Sequence, residues 1–437
     1  MTIVIERGVE VSDRRTPLVL VSGWSDAVDA TTRALLGEGT VLVHHDLGHL
    51  REGVLRRTVT GTDGIARTHI LELAHGCVSC TLREDLLPLL RRLHARSSVR
   101  RIVLHLDRAL EPEALCWAIE HVAVAGVVGQ IDGAASRDVR VEAVITCVDA
   151  ATWLDDATGD DGLEERGLTA GGDDERTVAQ LVVGQVDYAD ALVVSGSAAD
   201  GWAQAKLHAV LARLAPSAPI DWVADGGAVE AERLLARIPA GARRGEVGDA
   251  HSALLRGQPP LAPDCGVAMV EFTANRPFHP ERLHEAVDVL LDGVVTARGR
   301  LWLATQPEHV CWLESAGGGL RVASAGRWLA AMTPQEQETV PTARRALAAL
   351  RWDERFGDRD TSLVVLVHAA DPDDIDRALR WALVTDEELG HEPDWASWPD
   401  PFGQWHLDPC EDAGTDVGPG QQAIDSLPGE TNREDRA

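Results

Sequence analysis

Two kinds of apolar pattern alternate along the first half of the chain. Short unbroken runs occur at 17–22 (PLVLVS), 40–45 (TVLVHH), 101–107 (RIVLHLD), 142–149 (EAVITCVD) and 190–195 (DALVVS). They are rich in β-branched residues and end in polar or glycine-containing turns, which predicts strands covered on both faces. Between them the spacing lengthens. Leu82, Leu86, Leu89, Leu90 and Leu93 recur at i, i+4, i+7, i+8 and i+11, the stripe of an amphipathic helix. Strands alternating with helices predict an α/β domain over 15–240, a parallel sheet with helices on both faces.

The pattern changes after residue 240. Residues 241–265 are rich in Gly, Pro and Arg and read as a linker. A smaller α+β domain is expected over 266–410. It opens with a strand at 267–274 (VAMVEFTA) and a helix at 280–293 that starts on Pro280 and closes on Gly293. Strands follow at 294–304, 309–315 and 320–326, then a last strand at 363–369 and an acid-started helix at 371–383. Residues 155–175 are acidic and glycine-rich and read as a mobile surface loop. The tail, 411–437, has seven acids, two arginines and almost no large apolar residues, and is expected to be disordered.

Composition narrows the function. The chain has 437 residues, 45% hydrophobic, with a net charge of −29. Such a field opposes an extended phosphate-binding face, so no DNA partner is expected and a basic protein partner suits it better. No signal peptide or run of about 18 apolar residues is present, so the expected location is the cytoplasm, without membrane contact. Seven cysteines do not form a disulfide framework. Most lie in apolar stretches; only Cys77 and Cys80, in HGCVSCTLREDLL, form a close pair in a turn-like setting.

C-x₂-C lets two sulfurs face one ion, and a following helix N-terminus favours thiolates. The pair can therefore be half of a tetrahedral metal site, a redox couple, or two turn residues. His75 is near in sequence, and His45 and Asp46 follow a predicted strand. His44, His45 and His49 could supply ligands or simply line a polar loop. Arg83, Arg91, Arg92, Arg96, Arg100 and Arg101 form a basic stretch that could meet RNA or an acidic protein, or be a solvated helix face. Eight tryptophans crowd the last third of the chain. Those in strands are expected in the core, and the WASWPDPFGQWH segment is expected to fold back onto the domain.

Four stretches carry a family resemblance. They are Ser22-Gly23 after the first strand, His45-Asp46-Leu47-Gly48 after the second, HGCVSCTLREDLL, and in the second domain RPFHPERL (276–283) followed by RGRLWLA (298–304). Across residues 16–385 the chain resembles CobW-type P-loop proteins, the metal-handling GTPases and zinc chaperones. The resemblance implies a zinc-binding Gly-Cys-x-Cys-Cys motif, here with Ser79 in place of the middle cysteine, so the expected metal residues are Cys77 and Cys80.

The nucleotide motifs are degraded. A phosphate loop needs glycines, a lysine for the terminal phosphates and a hydroxyl for Mg²⁺. Counted from Gly23, the slots hold Val28, Asp29 and Ala30. A one-residue insertion would place Thr31 and Thr32 there, but the chain's single lysine is Lys206. Ser195-Gly196-Ser197-Ala198 stands where the family reads the guanine base. GTP is thus doubtful as a cofactor, and no catalytic or nucleotide-binding residue is assigned. Within the family the chain is most similar to mycobacterial-protein-Y recruitment factors, through stretches such as DPFGQWHLDPC. That likeness implies a zinc-status-linked adaptor that brings a ribosome hibernation factor of the protein Y type to the ribosome. The alternative is a zinc metallochaperone that binds or hydrolyses GTP. A thiol oxidoreductase is a third reading.

Overall fold

The structure is a computed structural model. It describes residues 13–73, 78–168, 174–224, 226–248, 250–251, 253–255 and 257–403, apart from the side chains of Ser79 and Cys80.

The first domain runs β1 (Thr16–Gly23), α1 (Ala27–Ala34), β2 (Thr40–Asp46), then a hairpin of β3 (Val54–Thr60) and β4 (Ala66–Glu72). The short α2 (Val78–Thr81) passes through a π-turn at Leu82–Leu86 into α3 (Leu87–His94). Pro88 has no N–H for the carbonyl four residues back, and the π-turn directly before it accommodates that loss. Next come β5 (Arg101–His105), α4 (Pro112–His121), the two-residue strands β6 (Ala123–Val124) and β7 (Gly133–Ala134), and β8 (Val139–Asp149). The domain continues with α5 (Trp153–Thr158), α6 (Val178–Asp187), β9 (Ala191–Ser195), α7 (Gly201–Leu214), β10 (Ile220–Val223) and α8 (Ala231–Arg237).

The sheet order is β10-β9-β8-β1-β5-β2-β3-β4. All pairs from β10 to β2 are parallel, and β3 and β4 extend the β2 edge antiparallel. Strand alternation assigns the two faces. Leu18 and Leu20 join α3 and α4 in one core, while Val19 and Val21 join α1 and α8 in the other. The expected parallel sheet covered by helices is therefore what the chain forms.

Sequence patterning missed the β3–β4 hairpin. Its arginines interrupt the apolar alternation, and β4 is exposed along almost its whole length. The available signal was Asp63-Gly64: Gly64 sits at φ 72°, and Asp63 Oδ1 accepts from the Ile65 N–H at 3.0 Å, a turn that this pair favours. The acidic stretch 155–175, read as a loop, begins inside α5; its residues 169–173 lie outside the described chain.

The second domain contains β11 (Ala268–Ala274), α9 (Pro280–Ala286), β12 (Val294–Leu301), β13 (His309–Ala316), β14 (Gly319–Arg327), α10 (Pro334–Thr339), α11 (Thr342–Arg351), β15 (Thr361–Val367) and α12 (Pro372–Ala382). The helix expected over 280–293 ends as α9 and continues as a 3-10 turn at Val287–Leu290. The sheet is antiparallel, in the order β11-β15-β12-β13-β14. Phe272, Leu363 and Val365 on one face pack under α9 and α12. Val295, Ala316 and Leu366 on the other join α5, α6 and α7 of the first domain in a shared core.

Trp302 and Trp328 are buried with Trp395, and Trp398 stacks on His279 at 4.4 Å, so this part of the tryptophan-rich segment folds back on the domain. Trp352 and Trp381, which lie outside the predicted strands, are exposed. Trp405 lies outside the described residues, as does the acidic tail. No helix among the described residues is long and apolar enough to cross a membrane.

Candidate functional site

In an open parallel sheet, ligands bind beyond the C-terminal ends of the strands, where the strand order reverses. Here that point lies at the end of β1. The connection to α1 is only Trp24-Ser25-Asp26, and it is stitched down. Gly23, at φ 126°, runs so close to β8 that a Cβ would lie 2.0 Å from the Cys147 carbonyl oxygen. Ser25 Oγ is 2.6 Å from Ser195 Oγ and accepts from the Ala27 N–H. Trp24 Nε1 donates to the Arg108 carbonyl.

The hydroxyls that an insertion would place in the phosphate site point elsewhere. Thr31 is buried with its Oγ1 3.4 Å from Cys147 Sγ, and Thr32 Oγ1 donates to the Asp29 carbonyl. The acids at the strand ends are similarly engaged. Asp107 accepts from the Leu47 and Ala109 N–H groups, and Asp149 from that of Ala151. Lys206 stands on α7, where its charge acts on Cys265 and on His368 of the second domain. These residues do not fit a nucleotide triphosphate. The lysine slot of the turn holds Asp29, and the acids that could hold Mg²⁺ already accept backbone bonds.

A histidine pair sits beside this turn. The rings of His44 and His105 are 4.2 Å apart, and His44 Nδ1 donates to the His105 carbonyl. Burial, with His44 as the next cause, pushes the His105 imidazole down to about 4, although Asp29 is 3.7 Å from its Nδ1.

The cysteine motif leads to a second constellation. Cys77 and His75 lie outside the described residues; Cys80 is on α2, and its side chain is not described. The helix that follows carries Asp85 in the π-turn, and the cross-strand register places His45 opposite Arg57. His45 Nε2 donates to Asp85 Oδ2 at 2.8 Å, and Arg57 Nη1 donates to Asp85 Oδ1. His45 is 2% exposed, and its Nδ1 is buried without a hydrogen-bond partner. One imidazole nitrogen held by a carboxylate, with the other left free, is the arrangement of a metal-ligating histidine. His45 stands out in the sequence, whereas Asp85 and Arg57 do not, because their part depends on helix and hairpin folding together. Asp46, the other marked candidate, caps the Gly48 N–H and pairs with Arg56 at 3.4 Å. His49 is exposed and pairs with Glu52. Among the described residues no three His, Cys, Asp or Glu side chains converge to hold a metal ion.

The expected arginine surface is divided. Arg91 is buried and bonds Asp138 and the carbonyls of Val124, Ile131 and Gly133, so it is a structural residue of the α3 packing. Arg101 pairs with Glu142 and Glu232, and Arg100 with Glu38. Arg83, Arg92 and Arg96 are exposed. Burial pushes the thiols of Cys116 and Cys147 up to about 12, which leaves them unreactive.

The RGR motif of the second domain is an anchor. Arg298 pairs with Asp187 of α6 at 2.6 Å and donates to the Leu254 carbonyl; Arg300 bonds Asp360 and the Ala250 carbonyl. Gly299 between them passes so close to β15 that a Cβ would lie 2.0 Å from the Ser362 carbonyl oxygen. The motif therefore holds sheet, linker and first domain together.

Residues 45–220 match the CobW/HypB/UreG nucleotide-binding domain family, and residues 267–383 match the cobalamin synthesis protein cobW C-terminal domain family. The first match begins after the β1–α1 turn. The chain is 52% identical over 402 residues to a Mycobacterium tuberculosis protein named zinc chaperone Rv0106, covering 91% of this chain and 95% of that protein. It is 24% identical over 343 residues to the Dictyostelium discoideum zinc-regulated GTPase metalloprotein activator 1, covering 76% of this chain and 70% of that one. A solved structure, the Zn(II)-bound YjiA GTPase from E. coli, is 15% identical with a TM-score of 0.36, over 85% of this chain and 99% of that one.

Proposed function

The chain belongs to the CobW family, and from that premise we propose that it is a zinc-handling protein of the zinc chaperone kind, with Cys77, Cys80 and His45 as its zinc ligands. The observation that carries this reading is His45: buried, held through Nε2 by Asp85, and free at Nδ1. Asp85 is five residues beyond Cys80 on the same helical run, so the carboxylate that orients the histidine and the second cysteine of the motif belong to one element. Zinc is here the cargo, bound by two thiolates and an imidazole with one position open, a set suited to transfer. A Zn-release titration tests it. Cys77→Ala/Cys80→Ala should abolish stoichiometric zinc binding, and Asp85→Asn should weaken it about 10- to 100-fold. Unchanged zinc affinity in the double cysteine variant refutes the assignment.

The occupied β1–α1 turn favours a second reading, in which the protein works without nucleotide turnover. That reading is the adaptor, which recruits a ribosome hibernation factor to the ribosome according to zinc supply. It is supported by the likeness of the sequence stretches quoted above. Co-sedimentation with ribosomes, with and without a zinc chelator, decides it. Equal amounts of hibernation factor in the pellet with and without this protein would exclude the adaptor role.

A further inference from the structure

The hairpin that patterning missed creates a cleft at the opposite end of the sheet from the β1–α1 turn. It lies between β3–β4 and α3, beside the start of β2 and the residues leading into β5, and encloses about 370 Å³. Alternation along the strands builds one wall. His45, Arg57 and His69 form a cross-strand row, and Val43, Val59 and Arg67 form the next, all on the face turned toward α3. The floor is apolar, made by Val41, Val59, Leu89 and Leu93, while Arg57, Arg67, His69 and Arg96 line the rim.

The charge is out of character for this protein. In a chain of net charge −29, three arginines and a histidine converge here with one carboxylate, Asp63, which is taken by Arg67 at 2.7 Å. Arg57 gives one nitrogen to Asp85, but its Nε is buried without a partner. Arg96 is exposed and makes no ion pair among the described residues. A guanidinium at the rim without an ion pair among the described residues calls for an anionic head. The apolar floor calls for a hydrophobic body, and the volume lies in the range of small-molecule pockets, about 300–1,000 Å³.

We propose that this cleft binds a small organic anion, an apolar body with a single carboxylate or phosphate head. The head meets Arg96 at the rim, and the body lies against Val59 and Leu89. A free inorganic anion would leave the floor wet, and a nucleic acid would face repulsion from the rest of the surface.

The test is fluorescence titration of the full chain with 8-anilinonaphthalene-1-sulfonate, an apolar body with one anionic head. Saturable one-site binding is expected, weakened at least tenfold by Arg96→Glu and equally by Val59→Trp, which fills the floor. Arg92→Glu, on the same helix, should leave it unchanged. Octanoate and octyl phosphate are then used as competitors to distinguish the head groups, with inorganic phosphate at matched ionic strength as the third arm. Displacement by either amphiphile but not by phosphate supports the proposal. Binding that survives both cleft variants, or displacement by phosphate alone, overturns it. Thermal melts of each variant separate loss of the site from loss of the fold.

Discussion

The two ends of the parallel sheet differ in how their polar groups are used. At the C-terminal end, where this architecture ordinarily holds a nucleotide, polar groups have internal partners: Ser25 with Ser195, Thr31 with Cys147, and Asp107 with two N–H groups. At the other end, Arg96 lines a cleft and makes no ion pair among the described residues, and the Arg57 Nε beside it is buried without a hydrogen bond. Polar residues satisfied within the fold contribute to stability, and those left unsatisfied in a concave site are available to a ligand. The comparison locates capacity for binding by where hydrogen-bonding potential is left over, rather than by where the fold class usually works.

The largest expected effect tests how firmly the first end is closed. Gly23→Val places a side chain into the Cys147 carbonyl at a φ that β-branched residues avoid. Loss of more than about 4 kcal/mol, or of soluble protein, is expected in urea denaturation. A variant that melts with the wild type would mean that β1 can move away from β8 and that the turn is open to ligands.

Next is the bridge between the two ends. Asp85→Ala strips His45 and Arg57 of their shared carboxylate in a buried setting and should cost about 3–5 kcal/mol. A cost below about 1 kcal/mol would indicate that the arginine simply turns into the cleft, making the two regions less distinct.

The histidine pair gives a smaller effect with a defined sign. The folded His105 pKa, about 4, is below its ordinary value of 6.5, so the unfolded chain takes up the proton first as pH falls. Its contribution is complete above about pH 6.5 and declines toward pH 4, on the order of 1–2 kcal/mol by pH 5. Chemical denaturation of wild type and His105→Phe at pH 7 and pH 5 measures this. The gap between the two pH values should narrow in the variant, and an unchanged gap would assign the acid sensitivity to other groups.

The smallest effect concerns the stitch itself. Ser25→Ala removes one hydroxyl pair and should cost about 1 kcal/mol. Adding Asp29→Lys restores the charge of a phosphate-loop lysine without its glycine turn. Titration with a fluorescent GTP analogue should still show no saturable binding, and micromolar binding would reverse the view of this end as closed.

Much of the fold was legible in the sequence because burial on both faces leaves a plain signature. β1, β5 and β9 must be apolar at successive positions, and the leucine stripe of α3 must repeat with the helix. The hairpin was less legible because Arg57 and Arg67 stand where alternation would call for apolar residues, yet both line the cleft. Arg91 was misread for a related reason. A charge on a helix reads as surface until a buried carboxylate and three carbonyls are seen to surround it.

By itself, then, the sequence determined the alternation of buried strands and helices in the first domain, the absence of a phosphate-loop lysine and the presence of a spaced thiol pair. These are properties of residues near one another in the chain, where periodicity and side-chain chemistry act locally. The tertiary structure decided which polar groups are satisfied and which remain free. It brought Ser25 to Ser195, 170 positions away, and His45 to Asp85, 40 positions away. Whether a hydroxyl, imidazole or guanidinium is available to a ligand depends on the partner that the fold places beside it, and residue spacing along the chain cannot supply that distance.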